Sequence, residues 1–170
     1  MSSEANRKYL VNSVRILSGN DSQLITDNSS DNEHATTEES DAIADIEEKL
    51  DIKMPEFYYR PYGMEYMTYE ISEPASAAKI NYQYDDNIVT FYIDKQNQST
   101  ASNINSSNGE EKIIDTIEKE GYKVTLKKLQ EQNEKNLTYV AQWEYNGCAY
   151  SWSGKFRIEE LKKIIKEMKF

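Results

Sequence analysis

The chain of 170 residues has one cysteine, one histidine, three prolines and six glycines, and fewer cations than anions, 20 against 30. Each scarcity excludes something. Cys148 has no partner, so no disulfide can form within the chain, and with His34 as the only imidazole a Cys/His zinc site is excluded as well. The acidic balance, a formal charge of −10, argues against a nucleic-acid binder, which needs clustered cations to replace the counterions of phosphate. No apolar run approaches the roughly 18 residues of a bilayer-spanning helix, so the chain is expected to carry no membrane segment of its own. The glycines are scattered and form no phosphate-cradling loop. Ser–His catalysis would depend on His34, which falls in a polar linker. Cofactor-binding, metal-ligating and catalytic residues are therefore all expected to be none.

What the sequence does have is acid in one place and tyrosine in many. Residues 19–50 hold ten acids and one base, so −9 of the net −10 lies there. Asp27 to Thr37 lacks any large apolar residue, cannot offset its ordering entropy and reads as a linker. The resulting division is an N-terminal segment with acidic linker over residues 1–37 and a single domain over residues 38–170. Asp27, Ser29, Asp31 and Glu38 fall at positions one, three, five and twelve of a calcium loop. Asn32 stands where such a loop wants glycine and no helix precedes it, so a solvated acidic stretch is the simpler reading. A second polar tract, Asp94 to Lys112, reads as a long surface loop.

The elements follow from periodicity. Val14, Ile16 and Leu24 flank Gly19-Asn20-Asp21 and suggest a short strand pair, while a helix over residues 6–17 fits the same stretch. Thr36 and Glu39 form a capping box before a helix over residues 37–50, whose Ile43, Ile46 and Leu50 share a face. Met54 to Met64, with Pro55, Pro61 and Gly63, reads as an extended, turn-bearing connection into a strand at Glu65 to Ile71. In that strand Tyr66, Thr68 and Glu70 alternate with Met67, Tyr69 and Ile71. A turn at Asp86-Asn87 would pair Tyr84 with Val89, Tyr82 with Phe91 and Ile80 with Ile93, leaving Asn81, Gln83, Thr90 and Tyr92 on a mostly wet face. Asn146-Gly147 is a stronger hairpin signal and pairs Tyr145 with Cys148, Trp143 with Tyr150 and Ala141 with Trp152. Ile113, Ile114 and Ile117 fit a short helix or a bulged strand. With a turn at Glu120-Gly121 and alternation at Val124 and Leu126, two strands are favoured. A helix over residues 157–169, apolar at Ile158, Leu161, Ile164, Ile165 and Met168, ends in lysines that suit the negative end of its dipole. The fold class expected is α+β: a twisted antiparallel sheet of about five to seven strands with one face covered by the two amphipathic helices.

The run TYVAQWEYNGCAYSWSGKFRIEELKKIIKEM and the segment IEEKLDIKMPEFYYRPYGMEYMTYEI, with its Pro61-Tyr62-Gly63 turn, resemble the bacterial domain of unknown function 4367 family over residues 38 to 169. The resemblance implies an extracytoplasmic domain of a membrane-anchored protein of Gram-positive bacteria, following a single membrane helix and in some proteins part of an anti-sigma-factor-like organisation. No catalytic residue is established for that family. The chain lacks the membrane helix, so the resemblance implies a soluble, cell-surface fragment starting just downstream of one, with Met1-Ser2-Ser3 as added residues.

The aromatics suggest a site. Phe57, Tyr58, Tyr59, Tyr62, Tyr66 and Tyr69 crowd into thirteen residues, and tyrosine offers a broad apolar ring with a polar tip that suits a sugar or a peptide. Core and rim packing is the plainer account of the same rings. Cys148, beside a hairpin turn on the aromatic face, is expected to be a buried thiol rather than a reactive one. Two functions stay open. One is a non-enzymatic interaction or sensor module, possessing no nucleic-acid partner, that meets an unknown protein, peptide or cell-wall component. The other is a cell-surface hydrolase using paired carboxylates, for which no spacing singles out a pair.

Overall fold

A computed structural model of the chain describes residues 39–95, 109–131 and 137–170. The strand pair or helix before residue 26, the linker with His34, the calcium-loop positions and Thr36 of the capping box lie outside the described residues, as does most of the expected loop between Asp94 and Lys112.

The first helix, α1 (Glu39–Leu50), buries Ala42, Ile46 and Leu50, a four-residue spacing that keeps one stripe inward while the acids face out. It stops because Asp51 turns left-handed at φ 50°. The Ile52 N–H then reaches back to the Glu47 carbonyl at 3.3 Å, a helix-ending arrangement that usually uses glycine. Lys95 completes the end by donating to the Leu50 carbonyl at 2.7 Å.

Then follow β1 (Glu56–Phe57), β2 (Glu65–Ser72), β3 (Ala77–Tyr84), β4 (Asn87–Asp94), β5 (Gly109–Lys119), β6 (Tyr122–Glu131), β7 (Thr138–Tyr145), β8 (Cys148–Gly154), α2 (Ile158–Lys166) and β9 (Met168–Lys169). Seven strands form one antiparallel sheet in the order β2-β3-β4-β8-β7-β6-β5, and β1 pairs with β9 in a separate two-stranded sheet. Two meanders, β2 to β4 and β5 to β8, are thus joined where β4 pairs with β8. The architecture is α+β. Buried Ile46 and Leu50 of α1 and Leu161, Ile164 and Ile165 of α2 belong to one cluster with the inward residues of the sheet.

The β7–β8 hairpin has the expected register, with Tyr145 opposite Cys148, Trp143 opposite Tyr150 and Ala141 opposite Trp152. Asn146 and Gly147 both have positive φ, as a two-residue turn of this kind requires. The β3–β4 hairpin is corrected by two residues. Its turn is Asp85-Asp86, with Tyr84 opposite Asn87, Tyr82 opposite Val89 and Ile80 opposite Phe91. A shift of two leaves every side chain on its expected face, because the side-chain period is two. One inward row therefore crosses the whole sheet: Tyr69, Ile80, Phe91, Trp152, Ala141, Leu126 and Asp115.

Four further expectations are corrected. Straight alternation in β2 fails, since a bulge between Tyr66 and Thr68 puts Tyr66 opposite Tyr82 and Tyr69 opposite Ile80, on one face together. The second face of the sheet is not wet at its centre: Asn81, Thr90, Tyr92, Ser151 and Ser153 are buried. These residues lie on β3, β4 and β8, each flanked by strands on both sides, and Thr90 donates to Asn81 at 2.9 Å. The C-terminal helix ends at Lys166 rather than 169. Met168 is buried from a strand, not from a helix turn. Finally, Gly109 to Lys112 belong to β5, which carries a bulge between Ile113 and Asp115 and leaves Ile113 exposed.

Gly154 ends β8 against β4 with no room for a side chain. A Cβ there would lie 2.6 Å from Val89 Cγ1 and 3.0 Å from Val89 Cα.

Candidate functional site

The connection from Met54 to Met64 is pinned at both ends and held along most of its length, with Tyr62 left in water. Met54, Pro55, Pro61 and Met64 are buried. Between them Glu56 and Phe57 pair with Lys169 and Met168, and the Tyr58 N–H bonds the Glu167 carbonyl at 3.3 Å. The turn closes when the Met64 N–H meets the Pro61 carbonyl at 3.1 Å, with Gly63 at φ 76°. Two prolines fix the extended path, and the glycine supplies the one positive angle it needs.

The six aromatic residues of the sequence cluster occupy different surroundings. Phe57 packs edge-on against Phe91 at 5.2 Å and Trp152 at 5.3 Å between ring centroids. Tyr66 meets Tyr82 edge-on at 6.2 Å. Tyr69 is partly buried and donates to Asp45 of α1 at 2.9 Å. These three extend the core, as does Tyr59 in part. Tyr59 donates to Glu160 at the start of α2, with Lys163 lying 4.0 Å from its ring centroid. Tyr58 donates to Glu56 at 2.5 Å, and Lys169 sits 5.1 Å from its ring. Tyr62 is 98% exposed, against 62% for Tyr58.

Tyr58 and Tyr59 share an electrostatic pattern: a carboxylate at the hydroxyl and a cation over the ring. It extends to a residue that the sequence cluster does not include. Tyr82 donates to Glu39 at 2.7 Å, Arg60 pairs with the same carboxylate, and Arg60 lies 5.4 Å from the Tyr82 ring. The hydrogen bonds to Glu56 and Glu160 push the hydroxyls of Tyr58 and Tyr59 above their ordinary pKa. Burial does the same, first among causes, for Tyr66, Tyr69 and Tyr82. Tyr84 accepts from Arg157 Nε at 3.0 Å, and Arg157 also faces Asp85 at 3.6 Å. Glu39, Arg60, Glu160 and Lys163 are thus the site residues that sequence reasoning missed. The only available sign was Arg60 standing between aromatic residues in a short connection.

Away from this connection, a concavity lies beside the Asn146-Gly147 turn. It is an open cavity of about 270 Å³ lined by Asp51, Ile52, Lys53, Lys95, Asn146, Cys148 and Tyr150. Cys148 is an unpaired thiol, 5% exposed, as expected of its place on the aromatic face. Tyr150 donates to the Lys53 carbonyl at 2.8 Å, and burial raises its pKa. Among the described residues no group of three or more His, Cys, Asp or Glu side chains is placed to hold a metal ion. No described helix is long and apolar enough to cross a membrane.

The geometry defines an antiparallel-sheet domain whose exposed feature is a pinned aromatic connection. A family model described as Domain of unknown function (DUF4367) matches residues 54–168, and the chain belongs to that family. The match is narrower than the resemblance read from residues 38 to 169, and α1 lies before it. No curated protein and no solved structure matched the chain.

Proposed function

We propose that this domain is a non-catalytic interaction module of the extracytoplasmic part of a membrane-anchored bacterial protein, and that it meets a protein or peptide through the Tyr58–Tyr62 connection. The observation that carries this reading is Tyr62, 98% exposed on a segment whose two ends are buried. Because the backbone that carries the ring is already fixed, binding has only the side-chain rotamers left to order. At Tyr58 and Tyr59, where a sugar would need an open ring face, Lys169 and Lys163 already lie over the rings, so stacking by a sugar would fall to Tyr62 by itself. A peptide can use the hydroxyl tips, ring edges and neighbouring charges together. The acids beside the connection act as anchors for tyrosine, with Glu56, Glu160 and Asp45 each accepting from a hydroxyl, which supports binding over paired-carboxylate hydrolysis. Location outside the membrane and a sensor role rest on the family resemblance.

The test compares retention of the wild-type domain and Tyr62→Ala on extracted membrane proteins and on purified cell-wall sacculi. Loss of retention on protein with none on sacculi is expected. Equal binding by both forms, or binding to sacculi alone, refutes the reading.

A further inference from the structure

Helix α1 is seated on the domain differently from every strand. Each inner strand of the large sheet has two hydrogen-bonded neighbours, and the family match begins only at Met54, after the helix. The inward stripe of α1 is Ala42, Ile46 and Leu50, with Ile43 partly buried against the same core. Its remaining ties are polar and spread from end to end. At the start, Glu39 takes Arg60 and the Tyr82 hydroxyl. Midway, Asp45 takes the Tyr69 hydroxyl at 2.9 Å. Near the end, Glu47 takes the Met54 N–H at 2.8 Å, and Lys95 donates to the Leu50 and Asp51 carbonyls at 2.7 and 3.1 Å.

These contacts read a helix by direction as well as by shape. Arg60 selects an acid in the first turn, where the helix dipole also favours one. Lys95 satisfies the unpaired carbonyls at the last turn, where a cation is favoured. The recognised pattern is an acid at position i and apolar residues at i+3, i+7 and i+11, filled here by Glu39, Ala42, Ile46 and Leu50.

We propose that the face beneath α1 is a helix-binding groove, that residues 39–50 are its resident occupant, and that they exchange between docked and released states while the sheet stays folded. A twelve-residue helix is marginal in water by itself, so release and unwinding are one event. The left-handed Asp51 weakens the helix stop, since a side chain there is less comfortable than glycine. In the released state the groove accepts an amphipathic helix of a partner carrying the same acid-and-apolar pattern. This inference goes beyond the tyrosine connection and stands or falls separately from it.

Native-state hydrogen exchange on the full chain tests it. The α1 amides are expected to exchange at least about tenfold faster than those of β7 and β8, by an opening that leaves those strands protected. Arg60→Ala should speed α1 further and leave β7 and β8 unchanged. The full chain with Ile46→Asp, which undocks its own helix, should bind a fluorescent peptide of residues 37–52 at least about tenfold more tightly than the wild type, whose own helix competes for the groove. A single common exchange rate for α1, β7 and β8 overturns the proposal. So does an Ile46→Asp chain that loses protection in β7 and β8, or one that keeps it yet binds the peptide no more tightly than the wild type.

Discussion

Replacing Gly154 by alanine tests the junction at which the two meanders become one sheet. The added methyl would sit 2.6 Å from Val89 Cγ1, 2.9 Å from Val89 Cβ and 3.0 Å from Val89 Cα. A rotamer change can move Cγ1, but it cannot move Cβ or Cα. Val89 is itself held in the ladder opposite Tyr82, so the strain must be taken up by separating β4 from β8. Overpacking of this kind costs about 1–3 kcal/mol, and backbone contact places Gly154→Ala in the upper half of that range. For a domain of this size that is a fall in melting temperature of roughly 6–12 °C. Urea unfolding followed by tryptophan fluorescence measures it, with an unchanged m-value showing that the folded state keeps its compactness. A loss below about 0.5 kcal/mol, the scale of ordinary surface substitutions, refutes the close approach. Val89→Ala supplies a second arm. It removes Cγ1 and leaves Cβ and Cα in place, so the double mutant should be less destabilised than the sum of the singles by at least about 0.5 kcal/mol. Strict additivity would mean that the strain comes from Cβ and Cα of residue 89 and not from Cγ1.

Three other outcomes follow from the side-chain environments. Phe57→Ala should cost about 3 kcal/mol in urea unfolding, because the ring packs against Phe91 and Trp152, while Tyr62→Ala should leave the midpoint within error; equal effects would refute the division of the cluster. Folded-state pKa values above the unfolded value of about 10 mean that Tyr82, Tyr150, Tyr69 and Tyr66 contribute stability that is fully present below that pH and lost as it rises further. Tyrosinate absorbance should therefore rise together with loss of circular dichroism, and smooth ionisation of all 13 tyrosines in an intact fold would contradict this. The hydrogen bond from Lys162, then that from the Thr116 N–H, lowers the Asp115 pKa, so its contribution is present above about pH 4 and lost as the pH falls below it. Asp115→Asn should flatten acid unfolding in that range and leave neutral-pH mobility of the rest of the chain unchanged; an unaltered acid profile would count against the Lys162 contact.

The hairpins show what a sequence can and cannot state. Asn146-Gly147 specifies its register because both turn residues need positive φ and few other pairs tolerate it. Asp85-Asp86-Asn87 offers three turn formers in a row, so the turn position was ambiguous by residues while the inward face was not. The bulge in β5 falls where the spacing of Ile113, Ile114 and Ile117 fits a bulged strand, whereas the bulge in β2, which decides that Tyr66 and Tyr69 share a face, leaves no compositional mark. Two-residue strands such as β1 and β9 are too short to show a period, and Met168 fits the helical stripe well enough to hide its strand. The aromatic cluster was legible as composition. Its sorting was not, because it depends on partners such as Glu160 for Tyr59 and Glu39 for Arg60, chosen by the fold across long stretches of chain.

The pairing of β1 with β9 also sets a schedule. Glu56 and Phe57 find their partners only in Lys169 and Met168. At a synthesis rate of about 5–20 residues per second, roughly 6–20 s pass between the making of one strand and the other. During that interval Phe57, Tyr58 and Tyr59 lack their partners Met168, Glu167 and Glu160, long after β2, β3 and β4 have been made. The connection is therefore the last part of the domain to be fastened during biosynthesis, and the stretch for which a chaperone or an early-arriving partner has the longest window.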